Sequence, residues 1–161
     1  MKIYKFKKHK KKYNKLFEKE KKKILKLIPE AYIEHIGSTS IPDIGGKPVI
    51  DMLIGVKNST INNSKNILKK LDYNYKETID KRSFFVRNRG YFLKKRYHLH
   101  LTKYNNDIWK KALKFKNNLL NNKKLREQYK ALKIHGLKLC KGDPKFYRQY
   151  KDHFIKEVLR K

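Results

Sequence analysis

Apolar positions recur along this chain at two periods, and the change of period marks its elements. Tyr13, Phe17, Ile24 and Ile28 return near helical spacing. They predict an amphipathic helix over about residues 11–27, ended at Ile28-Pro29 because a residue before proline is pushed out of the helical region. Two apolar, β-prone runs follow, Ala31 to Ile36 and Val49 to Val56, with a Gly- and Pro-rich loop between them. Ser59 or Thr60 can cap a short helix built on Ile61, Ile67, Leu68 and Leu71. Asp72 to Tyr75 reads as a strand or a turn, and residues 76–82 as a mobile, basic loop. Apolar and aromatic runs at Ser83 to Arg87 and Tyr91 to Leu101 flank Arg87-Asn88-Arg89-Gly90 and predict a β-hairpin. From Asp107 the period is helical, with Ile108, Ala112, Phe115 and Leu119 on one stripe and Leu125, Tyr129, Leu132 and Leu139 on another. Gly142 is placed to stop the second of these helices, and Asp143-Pro144 to start a third as N-cap and first-turn proline. In that last helix Tyr147, Tyr150, Phe154 and Val158 face inward. The order α-β-β-α-β-β-α-α-α predicts an α/β (α+β) fold: a small mixed sheet backed by helices, with a C-terminal helical part.

The 161 residues suit a single domain that opens with a basic N-terminal arm over 1–12. Hydrophobic residues make up 39% of the chain, including eleven Tyr and eight Phe, enough for a core despite the charge. Forty-four basic residues against 14 acidic ones give a formal net charge of +30. A field of this sign should attract nucleic acid or other polyanions non-specifically and in a salt-dependent way, and it also suits a nucleotide. The bland reading is a solvated basic surface. The single cysteine, Cys140, excludes an internal disulfide and a Cys-based zinc site. It sits on a predicted helix and reads as a core thiol. No run approaches ~18 apolar residues, so no membrane span is expected. No apolar segment follows the basic first residues, so no secretory signal is expected and a cytoplasmic protein is the default.

The chemistry gathers between the first two strands. Ala31 to Ile36 ends abruptly in Gly37-Ser38, and Thr39, Ser40 and Lys47 follow before Val49 to Val56 begins. Glycine lets backbone approach a ligand closely, and Ser and Thr supply N–H and hydroxyl donors. Lys47 can neutralise phosphate charge. Asp51 is a lone carboxylate in an apolar strand, costly unless something pairs with it. The pattern reads as strand, phosphate-cradling turn, strand, metal-binding acid, an arrangement suited to phosphoryl or nucleotidyl chemistry. His98 and His100, spaced by two, fall on one face of a strand with Tyr97, Leu99 and Leu101 on the other. Imidazole ligates transition metals and acts as a base near neutral pH. With Asp51 on a neighbouring strand, two histidines and a carboxylate would favour zinc, manganese or iron over magnesium. His35, just before Gly37, could contact ligand or support the turn, whereas Glu34 points the other way. Arg82, Arg87 and Arg89 flank the predicted hairpin and could clamp phosphate or simply be solvated.

His35-Ile36-Gly37-Ser38-Thr39-Ser40-Ile41-Pro42 followed by Lys47-Pro48-Val49-Ile50-Asp51 resembles the signature of the GrpB family, a branch of the DNA polymerase beta-like nucleotidyltransferase superfamily. The resemblance continues in order through Arg82-Ser83-Phe84-Phe85, Tyr97-His98-Leu99-His100-Leu101, Tyr129-Lys130-Ala131-Leu132-Lys133 and Tyr150-Lys151-Asp152-His153-Phe154. It implies that Gly37 and Ser38 hold nucleotide phosphates and that acids on the second strand bind divalent metal, usually magnesium. The superfamily's acid-hydrophobic-acid triplet is broken here, since Asp51 takes the second position and Val49 the first. The superfamily's third acid has no counterpart on the hairpin strand, where His98 and His100 stand instead. The expected activity is metal-assisted nucleotidyl or phosphoryl transfer from a nucleoside triphosphate to an unknown acceptor. A nucleotide- or polyanion-binding module without catalysis, or a basic RNA-associated protein, are the alternatives. The His-x-Thr unit of two-histidine phosphoesterases occurs once, at His100-Leu101-Thr102, and those enzymes need two.

Overall fold

The computed structural model describes residues 7–89, 95–141 and 143–160. Five strands, β1 (Tyr32–Ile36), β2 (Val49–Val56), β3 (Asn74–Ile79), β4 (Arg82–Arg89) and β5 (Lys95–Lys103), form one sheet in the order β1-β2-β5-β4-β3. β2 and β5 run parallel and every other pair is antiparallel. A parallel pair cannot be joined by a tight turn. Here the return path from β2 to β5 carries α2 (Ile61–Lys70) and the β3–β4 hairpin.

The two faces of the sheet are built differently. One buries Ile50, Met52, Ile54, Val56, Phe85, Tyr97, Leu99 and Leu101 against Tyr13, Phe17 and Ile24 of α1 (Lys12–Leu25) and Leu68 of α2. The period-two alternation of β2 and β5 and the helical spacing of α1 generate this core. Burying each large side chain contributes roughly 1.5–3 kcal/mol. On the other face stand α3 (Asp107–Asn121), α4 (Lys123–Leu139) and α5 (Pro144–Arg160). Leu119, Leu125, Tyr129 and Val158 of these helices form a second core with Ile41 and Ile44 of the β1–β2 loop. Lys116 of α3 reaches Glu34 of β1 at 3.2 Å. The loop is thereby pinned beneath the helices, and a cleft remains between them and the sheet.

The mixed sheet with a helical C-terminal part agrees with the sequence expectation. Residues 76–82 differ: they form most of β3, a two-residue turn and the first residue of β4, not a mobile loop. Asp80 and Lys81 have φ of 50° and 63°, the left-handed pair that matches a hairpin's twist. β3 is an edge strand exposed along its whole length, so it lacks the alternation that would have announced it. Thr60 holds the N-cap position of α2, but its hydroxyl donates back to the Lys57 carbonyl. Leu139 is exposed, and Lys133 and Gly136 occupy the inward stripe of α4 in its place. The carboxylate of Asp143 accepts from the N–H groups of Lys145 and Phe146, the expected cap. Cys140 is buried. Gly142, Gly90 and the run 91–94 lie outside the described residues. Among the described residues, no helix is long and apolar enough to cross a membrane. Part of the basic arm is docked: Lys7 exchanges two backbone hydrogen bonds with Gly46.

Candidate functional site

The turn after β1 depends on Gly37. Its φ is 71°, and a side chain there would run into Oδ2 of Asp51. Ser38–Ser40 form one 3-10 turn. Thr39 is buried, its hydroxyl donating to the Val49 carbonyl at 2.8 Å and accepting from Nε2 of His35 at 3.0 Å. His35 stacks on Phe17 with ring centroids 4.7 Å apart, on the sheet face away from Asp51. Burial pushes its imidazole down to about 4, so the ring is neutral. Ser40 donates to the Gly37 carbonyl at 2.7 Å. His35, Thr39 and Ser40 therefore brace the turn from behind, whereas Gly37 and Ser38 line the cleft.

That cleft encloses about 610 Å³. Asp51 pairs in register with His98 across the parallel β2–β5 ladder, and Leu53 with His100, so Asp51, His98 and His100 share the cleft face. Nδ1 of His98 lies 3.3 Å from Oδ1 of Asp51. Burial alone would raise the Asp51 carboxyl, but the His98 hydrogen bond and the electrostatic influence of His98, His100 and His35 outweigh it and hold the carboxyl below its ordinary range. Burial pushes His100 down to about 4. Its ring stacks on Phe84, and its Nδ1 is buried with no hydrogen-bond partner. Val49 is on the same wall two residues before Asp51.

Among the described residues, no three His, Cys, Asp or Glu side chains are grouped to hold a metal by themselves. Magnesium does not require such a group, because it binds through one or two carboxylates together with substrate phosphates and water. Asp51 fits that donor pattern: Oδ1 faces His98, and Oδ2 is packed against the Gly37 turn.

Among the described residues six cations line the cleft, Lys47, Arg82, Arg96, Lys133, Arg148 and Lys151, against the carboxylates of Asp51 and Glu77. Four of them, Arg96, Lys133, Arg148 and Lys151, were given no site role from the sequence, although Lys133 and Lys151 stand in two of the blocks that carry the resemblance. Tyr129 and Lys133 on α4, and Tyr147 and Lys151 on α5, repeat one device, a tyrosine with a lysine four residues later on the inward stripe. Lys133 Nζ lies 5.5 Å from the Tyr129 ring centre and Lys151 Nζ 4.3 Å from that of Tyr147. Lys133 is buried, donates to the Gly45 carbonyl at 2.6 Å, and occupies the space that a side chain on Gly46 would need. Burial, with Lys151 adding to it, pushes the Lys133 ammonium down to about 7. Burial lowers Lys151 and Lys47 as well. Arg87 stands elsewhere. It is buried on the opposite face, paired with Glu20 and donating to the Leu71 carbonyl, and it touches no ligand site. The Arg89 side chain lies outside the described residues.

Comparisons with known proteins bear on this geometry. The family model described as GrpB protein matches residues 4–161. The chain is 30% identical over 160 residues to the Glutamate-rich protein GrpB of Alkalihalophilus pseudofirmus, covering 94% of this chain and 91% of that one. The crystal structure of conserved protein GrpB from Enterococcus faecalis is similar with a TM-score of 0.81 at 24% identity, covering 97% and 95% of the two chains. A chain of the GLD-2/RNP-8 complex is similar at a TM-score of 0.55 and 15% identity, over 94% of this chain and 76% of that one. The two structural likenesses concern the fold.

Proposed function

The chain belongs to the GrpB family, and we propose that its cleft binds a nucleoside triphosphate and carries out metal-assisted nucleotidyl or phosphoryl transfer to an acceptor. The observation that carries this reading is the pairing of Asp51 with His98 beside the Gly37-Ser38 turn, inside a cleft whose charge is dominated by cations. Gly37 and Ser38 hold phosphate, and Lys47, Lys133 and Lys151 neutralise it. Asp51 would hold a divalent cation, and that cation would offset charge on the transferring phosphate. His98, oriented through Nδ1 by Asp51, has Nε2 left for a proton. In nucleotidyl transfer the acceptor oxygen bonds the α-phosphorus and its proton passes to His98. The α–β phosphoanhydride bond breaks, and pyrophosphate leaves with the electron pair.

Val49, where the superfamily's first acid would stand, favours a second reading: a nucleotide-binding module without transfer. A third, a basic RNA-associated protein, gains nothing from the relative's name, which describes a glutamate-rich protein while this chain has 14 acidic residues. The test is incubation with each nucleoside triphosphate, labelled at the α- or γ-phosphate, with magnesium, manganese or zinc. Binding followed by label transfer is the expected result. Ser38→Ala should weaken binding by roughly 1.5–3 kcal/mol, the value of one hydrogen bond to a charged group. Gly37→Val should do worse. Binding without transfer under every metal selects the second reading, and no nucleotide binding at all sinks the first two.

A further inference from the structure

The cations of the cleft form two groups, and the proposed nucleotide uses one of them. Lys47, Lys133 and Lys151 stand at the Gly37-Ser38 end, where each feels the charge of Asp51, and Arg96, opposite Val49, stands beside Lys47. Arg82 stands at the other, and Arg148, three residues before Lys151 on α5 and close enough to act on it, faces Arg82 from the helix side. Arg82 opens β4, two strands away from Asp51 and about four residues along the ladder, roughly 16 Å between backbones at ordinary strand spacing. Arg148 projects from α5 onto the same cleft. The two guanidiniums stand near enough that Arg148, after burial, holds Arg82 below its ordinary range. Among the described residues neither makes an ion pair or a side-chain hydrogen bond, although Asp80 and Glu77 attract Arg82 from a distance. Two like charges held together without a carboxylate between them are unfavourable, and the arrangement becomes favourable when a planar or tetrahedral oxyanion bridges them.

We propose that Arg82 and Arg148 form a second subsite that takes an oxyanion group, phosphate or carboxylate, carried by the acceptor. The proposal rests on the transfer reading for its donor. The Asp51–His98 pair and His100 lie between the two cation groups, so two anionic substrates enter from opposite ends of one cleft and meet at the base. Lys133 and Lys151 serve the donor, and Arg82 and Arg148 serve the acceptor. A neutral acceptor, such as an unmodified sugar or an alkyl alcohol, has no use for the arginine end.

The test is calorimetric titration of the full chain. A non-hydrolysable nucleoside triphosphate analogue with magnesium is added to saturation, and inorganic phosphate or acetate is then titrated in separate runs. The expected result is binding of a further anion to the saturated protein, weakened at least tenfold in Arg148→Ser, while the affinity for the analogue stays within twofold. Arg148 is exposed, so its substitution does not threaten folding, and Arg82→Gln is the second variant. Preference for phosphate assigns a phosphorylated acceptor, and preference for acetate a carboxylate. Phosphate and acetate binding that Arg148→Ser leaves unchanged belongs to the general basic surface and overturns the proposal. So does equal weakening of analogue and small anion, which would mean one continuous site. If the parent protein binds no analogue but retains Arg148-dependent anion binding, the nucleotide reading fails and the oxyanion subsite stands.

Discussion

Arg82 and Arg87 lie on one strand, an odd number of residues apart, and so on opposite faces of the sheet. Arg87 has its charge settled inside the fold. It pairs with Glu20, donates to the Leu71 carbonyl at 3.1 Å, and lies against the rings of Tyr73 and Tyr97 at 4.2 and 5.2 Å. Tyr73 donates to the same Glu20 carboxylate. Arg82 looks into the cleft with no such partner. The closed face therefore carries a polar network that fastens α1 to β4 and leaves only Nε of Arg87, among the network's side-chain atoms, buried without a hydrogen-bond partner. The open face keeps Arg82, Lys133 and Lys151 partly or wholly out of water, all with depressed pKa values and none in an ion pair among the described residues. Buried charge without a counter-charge opposes folding. On the reading proposed above, its concentration on one side of one sheet is where the anion would arrive.

The contrast breaks most visibly on the closed face. Arg87→Ala leaves Glu20 buried and alone, and Glu20→Ala does the same to Arg87. Each should cost about 3–5 kcal/mol in urea unfolding. The double replacement Glu20→Leu with Arg87→Met should recover a large part of that loss. Binding in the cleft should be unchanged in every variant that folds. A single variant as stable as the parent would show that the pair is not the anchor its burial implies.

On the open face the sign should reverse. Lys133→Met removes a buried cation that no carboxylate pairs, so it should stabilise the free protein while weakening triphosphate binding by roughly 1.5–3 kcal/mol. The pH dependence gives the sharper reading. The folded-state value for Lys133 is about 7 against an ordinary 10.5, so between those values the unfolded chain binds the extra proton. Stability should then rise with pH across that window, by up to about 1.4 kcal/mol per pH unit, with the full penalty in force below pH 7. Lys133→Met should flatten the rise. In the parent, anion binding near pH 7 should take up a proton, so affinity should fall as pH rises through 7. Equal stability profiles of parent and variant between pH 6 and 10 would refute the burial penalty.

The parts of this site that sequence could reach were those fixed by local periodicity. Asp51 in β2, and His98 and His100 in β5, had to share faces within their strands by alternation. The Gly-Ser break after β1 announced a turn. The register that puts His98 opposite Asp51 is a tertiary fact, and so is the pairing of His35 with Met52. That pairing turns His35 toward Phe17 and away from ligand. Only the start of β3 was legible, in Asp72 to Tyr75, because an exposed edge strand has no apolar face to alternate with. The helix cations were missed for a different reason. In a chain this rich in lysine, Lys133 and Lys151 look like two more solvated charges, although each stands four residues after an inward tyrosine. Arg87 was offered as a phosphate clamp because charge alone does not tell which face of a strand it is on.

The smallest expected effect lies behind the turn, where the two faces meet. His35 is neutral in the fold, with a value pushed by burial to about 4 from an ordinary 6.5. Between those values the unfolded chain carries the proton that the folded chain lacks, so stability should fall as pH drops from about 6.5 toward 4. The loss has an upper slope of about 1.4 kcal/mol per pH unit. His100, lowered in the same way, adds a parallel contribution. Only a difference between variants can therefore assign the slope. His35→Gln retains an N–H that can donate to the Thr39 hydroxyl but removes the titration. Urea midpoints at pH 7, 5.5 and 4.5 should converge for variant and parent as the pH falls, because the parent loses more. Parallel profiles would mean that His35 gains its proton without leaving the stack on Phe17, and the brace behind the Gly37 turn would then be looser than its hydrogen bonds suggest.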